Sequence, residues 1–288
     1  MKIITAVAEM QRTAESLRNS GKRIGFVPTM GFLHDGHLSL VREAEKHADV
    51  TVMSIFVNPT QFGPHEDFED YPRDFERDVT LAQSVGCDII FYPDRHEMYP
   101  DPYLTYVTVE KLTSVLCGAS RPTHFRGVTT IVAKLFNIVK PHVAVFGQKD
   151  AQQAIVIKRM TADLNFDIKI IVAPIVREPD GLAMSSRNTY LLPHQRQQAV
   201  VLYQSLQLAR KMIDQGERDA KVIQQAMRSL IEQQPDAQID YIELVDTTNL
   251  APVQHLQGEV LIALAVKIGK PRLIDNIIVT IDPVRNET

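Results

Sequence analysis

Cysteine is scarce, positive charge is nowhere concentrated, and no long apolar run interrupts the chain. The two cysteines, Cys87 and Cys117, cannot build a disulfide framework or a zinc site, and they read as small buried side chains in a reducing compartment. A formal net charge of −4 without a dense run of Lys or Arg leaves no electrostatic footprint for nucleic acid or a membrane surface. A local basic pocket for phosphate is still compatible with it. No window approaches the roughly 20 apolar residues of a membrane helix. The first residues, M-K-I-I-T-A-V-A-E-M-Q-R, carry only a brief apolar patch broken by Thr5 and Glu9, which is not a signal-peptide pattern. The expectation is a soluble cytoplasmic protein with no nucleic-acid and no membrane partner. Internal repeats, low-complexity tracts and coiled-coil seams are also missing.

What is present is ordinary globular material: 288 residues, 44% hydrophobic and 23% charged, enough for one large domain or two modest ones. The stretch I-G-F-V-P-T-M-G-F-L-H-D-G-H-L-S-L, residues 24–40, organises the rest. Residues 24–27 read as a buried strand stopped by Pro28, which cannot donate to a ladder. Gly31 and Gly36 give the following turn its freedom. Leu38, Leu40, Val41 and Ala44 then recur at helical spacing, so a helix begins near Asp35, the expected N-cap. His34 and His37 fall around its first turn, where unpaired backbone N–H groups and the helix dipole favour a phosphate. Taken alone, two histidines three apart are also plain polar residues at a helix start, or half of a metal site that lacks its other ligands.

Further along, the apolar run at residues 50–57 suits a parallel strand covered on both faces. A long polar loop with Asn58 and Gln61 at its mouth leaves the end of that strand. Residues 75–85 read as a helix, 88–92 as a strand, 104–109 as a further strand and 111–117 as a short helix. Arg121, His124 and Arg126 precede an amphipathic helix at 128–139, and strands follow at 143–146 and 168–172. Alternating strands and helices up to about residue 176 argue for α/β architecture with a doubly wound parallel sheet. The turn E-P-D-G at 178–181 marks a break. Beyond it come one long helix at 194–215, a second at 220–233, and strands at 239–245, 260–268 and 274–281. The expected organisation is a nucleotide-binding domain over 1–177 and a smaller C-terminal α+β domain over 178–288.

Three polar corners sit at the ends of expected strands: the 24–40 turn, Asn58-Pro-Thr-Gln61, and Gly147-Gln-Lys-Asp150. Strands of one parallel sheet point the same way, so these corners share one rim. The segment M-S-S-R-N at 184–188 adds hydroxyls, a guanidinium and backbone N–H groups suited to phosphate. Singly, each is common surface composition: a Lys-Asp pair is usually solvated, and Gln61 and Gln153 would normally be exposed amides. Their joint placement is the argument.

H-D-G-H at 34–37 is similar to the H-x-G-H signature of the nucleotidylyltransferase superfamily. The wider set P-T-M-G-F-L-H-D-G-H, F-V-N-P-T-Q-F-G-P, Y-P-R, H-F-R-G-V, V-A-K-L-F-N-I-V, F-G-Q-K-D-A-Q-Q and M-S-S-R-N resembles, in order and spacing, the pantoate–β-alanine ligase family. Phe32 and His65 are minor departures from its pattern. The resemblance implies a Rossmann-like fold and an ATP-dependent ligase that joins (R)-pantoate to β-alanine through a pantoyl adenylate, giving pantothenate, AMP and pyrophosphate. It implies that ATP is held by Met30, Gly31, Phe32 and Leu33 leading into His34, Asp35, Gly36 and His37. Gly147, Gln148, Lys149 and Asp150, with Val176 and the group Met184, Ser185, Ser186 and Arg187, would complete that site. His34, His37, Lys149 and Arg187 would be the catalytic groups. Gln61 and Gln153 would hold pantoate, and Gln61 also β-alanine. It further implies a homodimer that needs Mg²⁺, with no metal ligand identified, and a second domain acting as a lid.

The residue types suit that chemistry. Attack of a carboxylate on the α-phosphate builds charge on phosphoryl oxygens, which fixed donors and cations stabilise. Uncharged amides can bind the hydroxyls of pantoate without repelling its carboxylate. Two alternatives stay open: a related enzyme that leaves AMP on a stable product, and a nucleotide-binding regulator without turnover.

Overall fold

The structure, a computed structural model, describes residues 1–64 and 66–281; His65 and residues 282–288 lie outside the described residues. The chain forms two compact units. The first comprises Met1–Ser114, Arg121–Gln148 and Gln153–Val176, and the second Val115–Ser120, Lys149–Gln152 and the chain from Arg177 onward.

Elements follow in the order β1 (Lys2–Ile4), α1 (Val7–Asn19), β2 (Ile24–Thr29), α2 (Asp35–Glu45), β3 (Val50–Ile55), α3 (Phe75–Ser84), β4 (Ile89–Phe91) and α4 (Arg95–Met98). Next come α5 (Cys117–Ser120), α6 (His124–Val139), β5 (Val143–Gly147), α7 (Ala151–Asp163) and β6 (Lys169–Ala173). The remaining chain holds α8 (Pro193–Gln198), α9 (Val201–Asp214), α10 (Ala220–Ile231), β7 (Ala237–Asp246), β8 (Gly258–Ile268) and β9 (Arg272–Ile281).

In the first unit six strands form one sheet in the order β1-β4-β3-β2-β5-β6, each neighbouring pair parallel. From β2 the chain works outward through β3 and β4, then starts again on the other side with β5. This is the expected doubly wound α/β sheet, and its switch point lies between β2 and β5, where such sheets bind ligands beyond the strand ends. Val27, Met53, Ile90, Val143 and Val145 share one core with Leu38, Val41 and Ala44 of α2 and Ala82 of α3. Alternate residues such as Phe26 and Val52 point the other way and are equally buried.

Four expectations need correction. Pro28 does not stop β2, which continues to Thr29. Pairing between β2 and β5 is confined to Gly25 and Phe26, so a residue without an N–H is tolerated at the far end of the strand. Residues 104–109 are not a strand. Their backbone is satisfied by side chains of α6 instead: Val107 N donates to Thr130 Oγ1 at 3.0 Å, and Thr129 Oγ1 donates to Val107 O at 2.7 Å. The short helix expected at 111–117 is a series of turns leading into α5, whose span is Cys117–Ser120. The single helix expected at 194–215 is two helices, α8 and α9, because Leu202 N bonds to Ala199 O, one residue short of α-helical spacing. The edge strand β1, three residues long, was not expected at all.

In the second unit β7, β8 and β9 form an antiparallel sheet in that order. Val260, Ile262, Leu264 and Val266 of β8 alternate into a core completed by Leu202, Leu206 and Ala209 of α9 and by Ile223, Met227 and Ile231 of α10. The last three recur at i, i+4 and i+8, the stripe of an amphipathic helix. Asp219 caps that helix, accepting from Lys221 N at 2.8 Å. Cys87 and Cys117 are buried and free, and burial pushes the Cys87 thiol up to about 12. Among the described residues no helix is long and apolar enough to cross a membrane.

Candidate functional site

The turn after β2 is held from below by a buried carboxylate. Gly31 and Phe32 both have positive φ, +83° and +49°. A Cβ at Gly31 would lie 2.9 Å from Asp78 Oδ2 and from Ile55 Cγ2, so both conformation and space require glycine there. Asp78, on α3 and 1% exposed, accepts from Phe32 N and Leu33 N at 2.7 Å each. Arg77 donates to Leu33 O at 2.9 Å and lies over the Phe32 ring at 5.2 Å. Burial raises the Asp78 pKa, against the pull of those two amides and of Arg77.

The helix that follows is capped by histidine rather than by Asp35. His34 is its N-cap, with extended backbone, while Asp35 is the first helical residue. His34 Nδ1 accepts from Gly36 N at 3.1 Å, and His37 Nδ1 accepts from His34 N at 3.3 Å. The two rings close a reciprocal capping box, their centroids 4.1 Å apart. With Nδ1 accepting, a neutral ring carries its proton on Nε2. Two amides of the first turn are already used, Gly36 N by His34 Nδ1 and His37 N by His34 O. The capping histidine therefore takes up part of the backbone N–H that the sequence pointed to as unpaired.

The second corner is wired to the first. After β3 the chain makes a 3-10 turn, Pro59–Gln61, behind Asn58, which is 1% exposed. Asn58 Nδ2 donates to Gln61 Oε1 at 3.0 Å and to Gly127 O at 3.2 Å, and its Oδ1 accepts from Tyr99 Oη at 2.8 Å. Burial pushes the Tyr99 phenol up, so it stays a donor. With its carbonyl turned to Asn58, Gln61 points Nε2 at Met30 Sδ, 3.1 Å away. Gly127 is required by close approach, since a Cβ there would be 2.3 Å from Thr60 O.

Of the basic residues ahead of α6, Arg121 and His124 reach this corner. Arg121 Nη2 and His124 Nδ1 lie 3.3 and 2.9 Å from Gln61 O, and Arg121 grips Glu66 through both oxygens at 2.6 Å. Burial would raise the Glu66 pKa, but the Arg121 hydrogen bonds and charge outweigh it and hold the carboxyl low. Arg126 does not join them; its guanidinium stacks on Tyr106 at 3.7 Å.

The remaining expected residues divide between the units. Gly147 and Gln148, at the end of β5, belong to the first, as do Gln153 in the first turn of α7 and Val176 after β6. Lys149 and Asp150 belong to the second, with Lys149 Nζ 3.8 Å from Asp150 Oδ2. Met184, Ser185, Ser186 and Arg187 are also in the second unit, where Ser185 Oγ accepts from Arg187 N at 3.2 Å and caps a 3-10 turn, Ser186–Tyr190. Lys149, Ser185 and Asn188 line one small cavity of that unit together with Asp275. Sequence reasoning missed Asp78, Tyr99 and Glu66. Only Asp78 had a legible signal, a carboxylate on the stripe Phe75, Asp78, Ala82 that the spacing buries.

The family model described as pantoate-beta-alanine ligase matches residues 2–278. A pantothenate synthetase of Acetivibrio thermocellus is 57% identical over 281 residues, 98% of this chain and 100% of that protein. Among solved structures, pantothenate synthetase from Thermus thermophilus superposes with a TM-score of 0.91 at 43% identity, over 96% of this chain and 99% of the other. A pantoate-beta-alanine ligase from Francisella tularensis, complexed with beta-gamma ATP and beta-alanine, gives 0.78 at 35% identity over 96% and 97%. A match across nearly the whole chain at this identity is more than a shared fold: the chain belongs to the pantoate–β-alanine ligase family.

Proposed function

We propose that this enzyme condenses (R)-pantoate with β-alanine, cleaving ATP to AMP and pyrophosphate by way of a pantoyl adenylate. The observation that carries the reading is the Gln61–Met30 contact, Nε2 to Sδ at 3.1 Å. It keeps an uncharged amide beside a turn whose two imidazoles suit a triphosphate. The Francisella relative, complexed with beta-gamma ATP and beta-alanine, supports both ligand types.

In the first step a pantoate carboxylate oxygen attacks the α-phosphorus, and pyrophosphate departs with the electrons of the broken P–O bond. In the second, the β-alanine amine attacks the acyl carbon, loses a proton, and AMP leaves with the C–O pair. His34 and His37 donate Nε2–H to the triphosphate, and Lys149 and Arg187 neutralise charge that grows on the phosphoryl oxygens. Met30, Gly31, Phe32, Leu33, Asp35, Gly36, Gly147, Gln148, Asp150, Val176, Met184, Ser185 and Ser186 complete the nucleotide contacts. Gln61 and Gln153 bind pantoate, and Gln61 also receives β-alanine. No covalent enzyme intermediate is needed. The division into a nucleotide-binding domain up to residue 177 and a smaller lid domain, the homodimer and the cytoplasmic location belong to the same proposal.

Among the described residues no group of three or more His, Cys, Asp or Glu side chains is placed to hold a metal. A Mg²⁺ that arrives on the triphosphate would take most of its ligands from phosphate and water. When bound, the ion supplies charge neutralisation to the departing pyrophosphate.

Purified protein given pantoate, β-alanine and ATP-Mg is expected to form pantothenate and AMP in equal amounts. Pyrophosphate exchange into ATP should require pantoate and proceed without β-alanine. AMP retained in a stable product would move the chain to nucleotidyl transfer, and tight ATP binding with no amide formed would make it a regulator.

A further inference from the structure

In the middle of β9 two consecutive polar residues, Asp275 and Asn276, are each 2% exposed. Neighbours on a strand face opposite sides, so neither side of this sheet hides them in water, and burial without partners would be costly. Their partners run in two directions. Asp275 receives Arg177 in a fork, Oδ2 from Nη1 at 2.6 Å and Oδ1 from Nη2 at 3.0 Å, and Oδ1 also accepts from Asn276 N at 2.8 Å. Asn276 Nδ2 donates to the main-chain carbonyl of Lys149 at 3.0 Å.

Arg177 leads directly into the 184–187 loop. It bonds Gly181 O at 3.0 Å, its backbone bridges to Ala183, and its guanidinium rests on the Tyr203 ring at 4.5 Å. Asn188 Nδ2 closes the far side of that loop on Ala183 O at 3.1 Å. An unbroken run of hydrogen bonds thus joins the Lys149 main chain, Asn276, Asp275, Arg177 and the root of the loop. Lys149, Ser185 and Asp275 also meet around one cavity.

We propose that Asp275 and Asn276 are positioning residues for the nucleotide step, fixing the Lys149 corner and the root of the 184–187 loop to one strand so that both phosphate-directed groups keep a constant spacing. The inference rests on the assignment of Lys149 and Arg187 to ATP. Fork geometry matters for Asp275, because a lysine at 177 could not bond both oxygens in one plane. A buried ion pair contributes little net stability against an apolar pair of equal volume, which fits a role in placement.

Asn276→Leu keeps the volume and removes the donor to Lys149. The expected result is a KM for ATP, and a Kd for a non-hydrolysable ATP analogue measured by calorimetry, raised about tenfold, as loss of one positioned hydrogen bond allows. The KM for pantoate should stay within about twofold, a difference too small to count as a lost hydrogen bond. Asp219→Ala, which removes the α10 cap in the same unit, controls for stability: it should lower the melting temperature without that split. Unchanged ATP affinity in Asn276→Leu, or equal loss of ATP and pantoate affinity, overturns the inference and leaves the pair a structural tie. Asp275→Asn strands the Arg177 charge, so it serves only as a second variant read by the same split. A parent enzyme that binds the analogue but makes no amide would sink the proposed function, while the analogue affinities still decide this inference.

Discussion

Asp78 does its work through two amides it never releases. An amide side chain in its place could accept from only one of Phe32 N and Leu33 N, and would turn its own NH2 toward the other. Asp78→Asn is therefore expected to lower kcat on the order of 10²-fold, because a small misplacement of a substrate-binding turn has that effect. Circular dichroism should stay unchanged. The variant also tests the titration. Burial raises the Asp78 pKa in the folded chain, so the native state binds the proton more tightly than the unfolded one. That stabilisation is complete below the unfolded pKa and is lost as pH climbs through the folded one. Asp78→Asn carries no such titration, so its stability relative to the parent should improve as pH rises above the ordinary carboxylate range. Urea midpoints across the range give the sign, and a relative stability that worsens with pH would remove burial as the cause. At this scale the sequence disclosed the types of His34, His37 and Gln61 and their approximate places. It did not disclose that the histidines cap the helix with Nδ1, because Asp35 is the stronger cap by preference and loses only to the observed backbone path.

Elements were legible where periodicity was long. Helix α6 and strands β3, β5 and β8 each show a clear apolar pattern, whereas β1 is three residues long and carries none. Residues 104–109 have strand-like composition, yet α6 threonines answer their backbone, and no sequence period encodes that. The composition of the 184–188 loop points to phosphate, and its construction gives a test. Met184, Ser185 and Arg187 are half-buried, and the bonds that shape the turn include Ser185 Oγ accepting from Arg187 N and Asn188 Nδ2 donating to Ala183 O. Phosphate oxygens that pair with such a polar segment should raise its local stability. Hydrogen exchange over this peptide should slow when a non-hydrolysable ATP analogue binds, and Arg187→Ala should remove most of the slowing. Equal protection with and without the analogue would deny the loop any part in nucleotide binding.

Two of the apolar cores among the described residues are separate from each other. One joins β2, β3, β4 and β5 to α2 and α3; the other joins β8 and β9 to α9 and α10, and they have no residue in common. Two short segments, Val115–Ser120 and Lys149–Gln152, belong to the second unit although both precede Arg177. Long-range polar bonds tie them to it, among them Ser120 Oγ to Asp240 at 2.8 Å and Asn276 Nδ2 to Lys149 O at 3.0 Å. No periodic signal reports such allegiance. Leu264 stands at the centre of the second core, 0% exposed on the middle strand. Leu264→Ala removes buried methyl groups and leaves a cavity, which typically costs about 2–5 kcal/mol. Because cooperative units follow contiguous cores, that loss should fall on β7–β9, α9 and α10. Native-state hydrogen exchange is expected to show those elements opening at lower free energy, while amides of β2 and β3 keep the protection of the parent. Protection lost to the same degree in β2 and β3 would mean that the two cores unfold as one, and the separation would then be one of packing without independent stability.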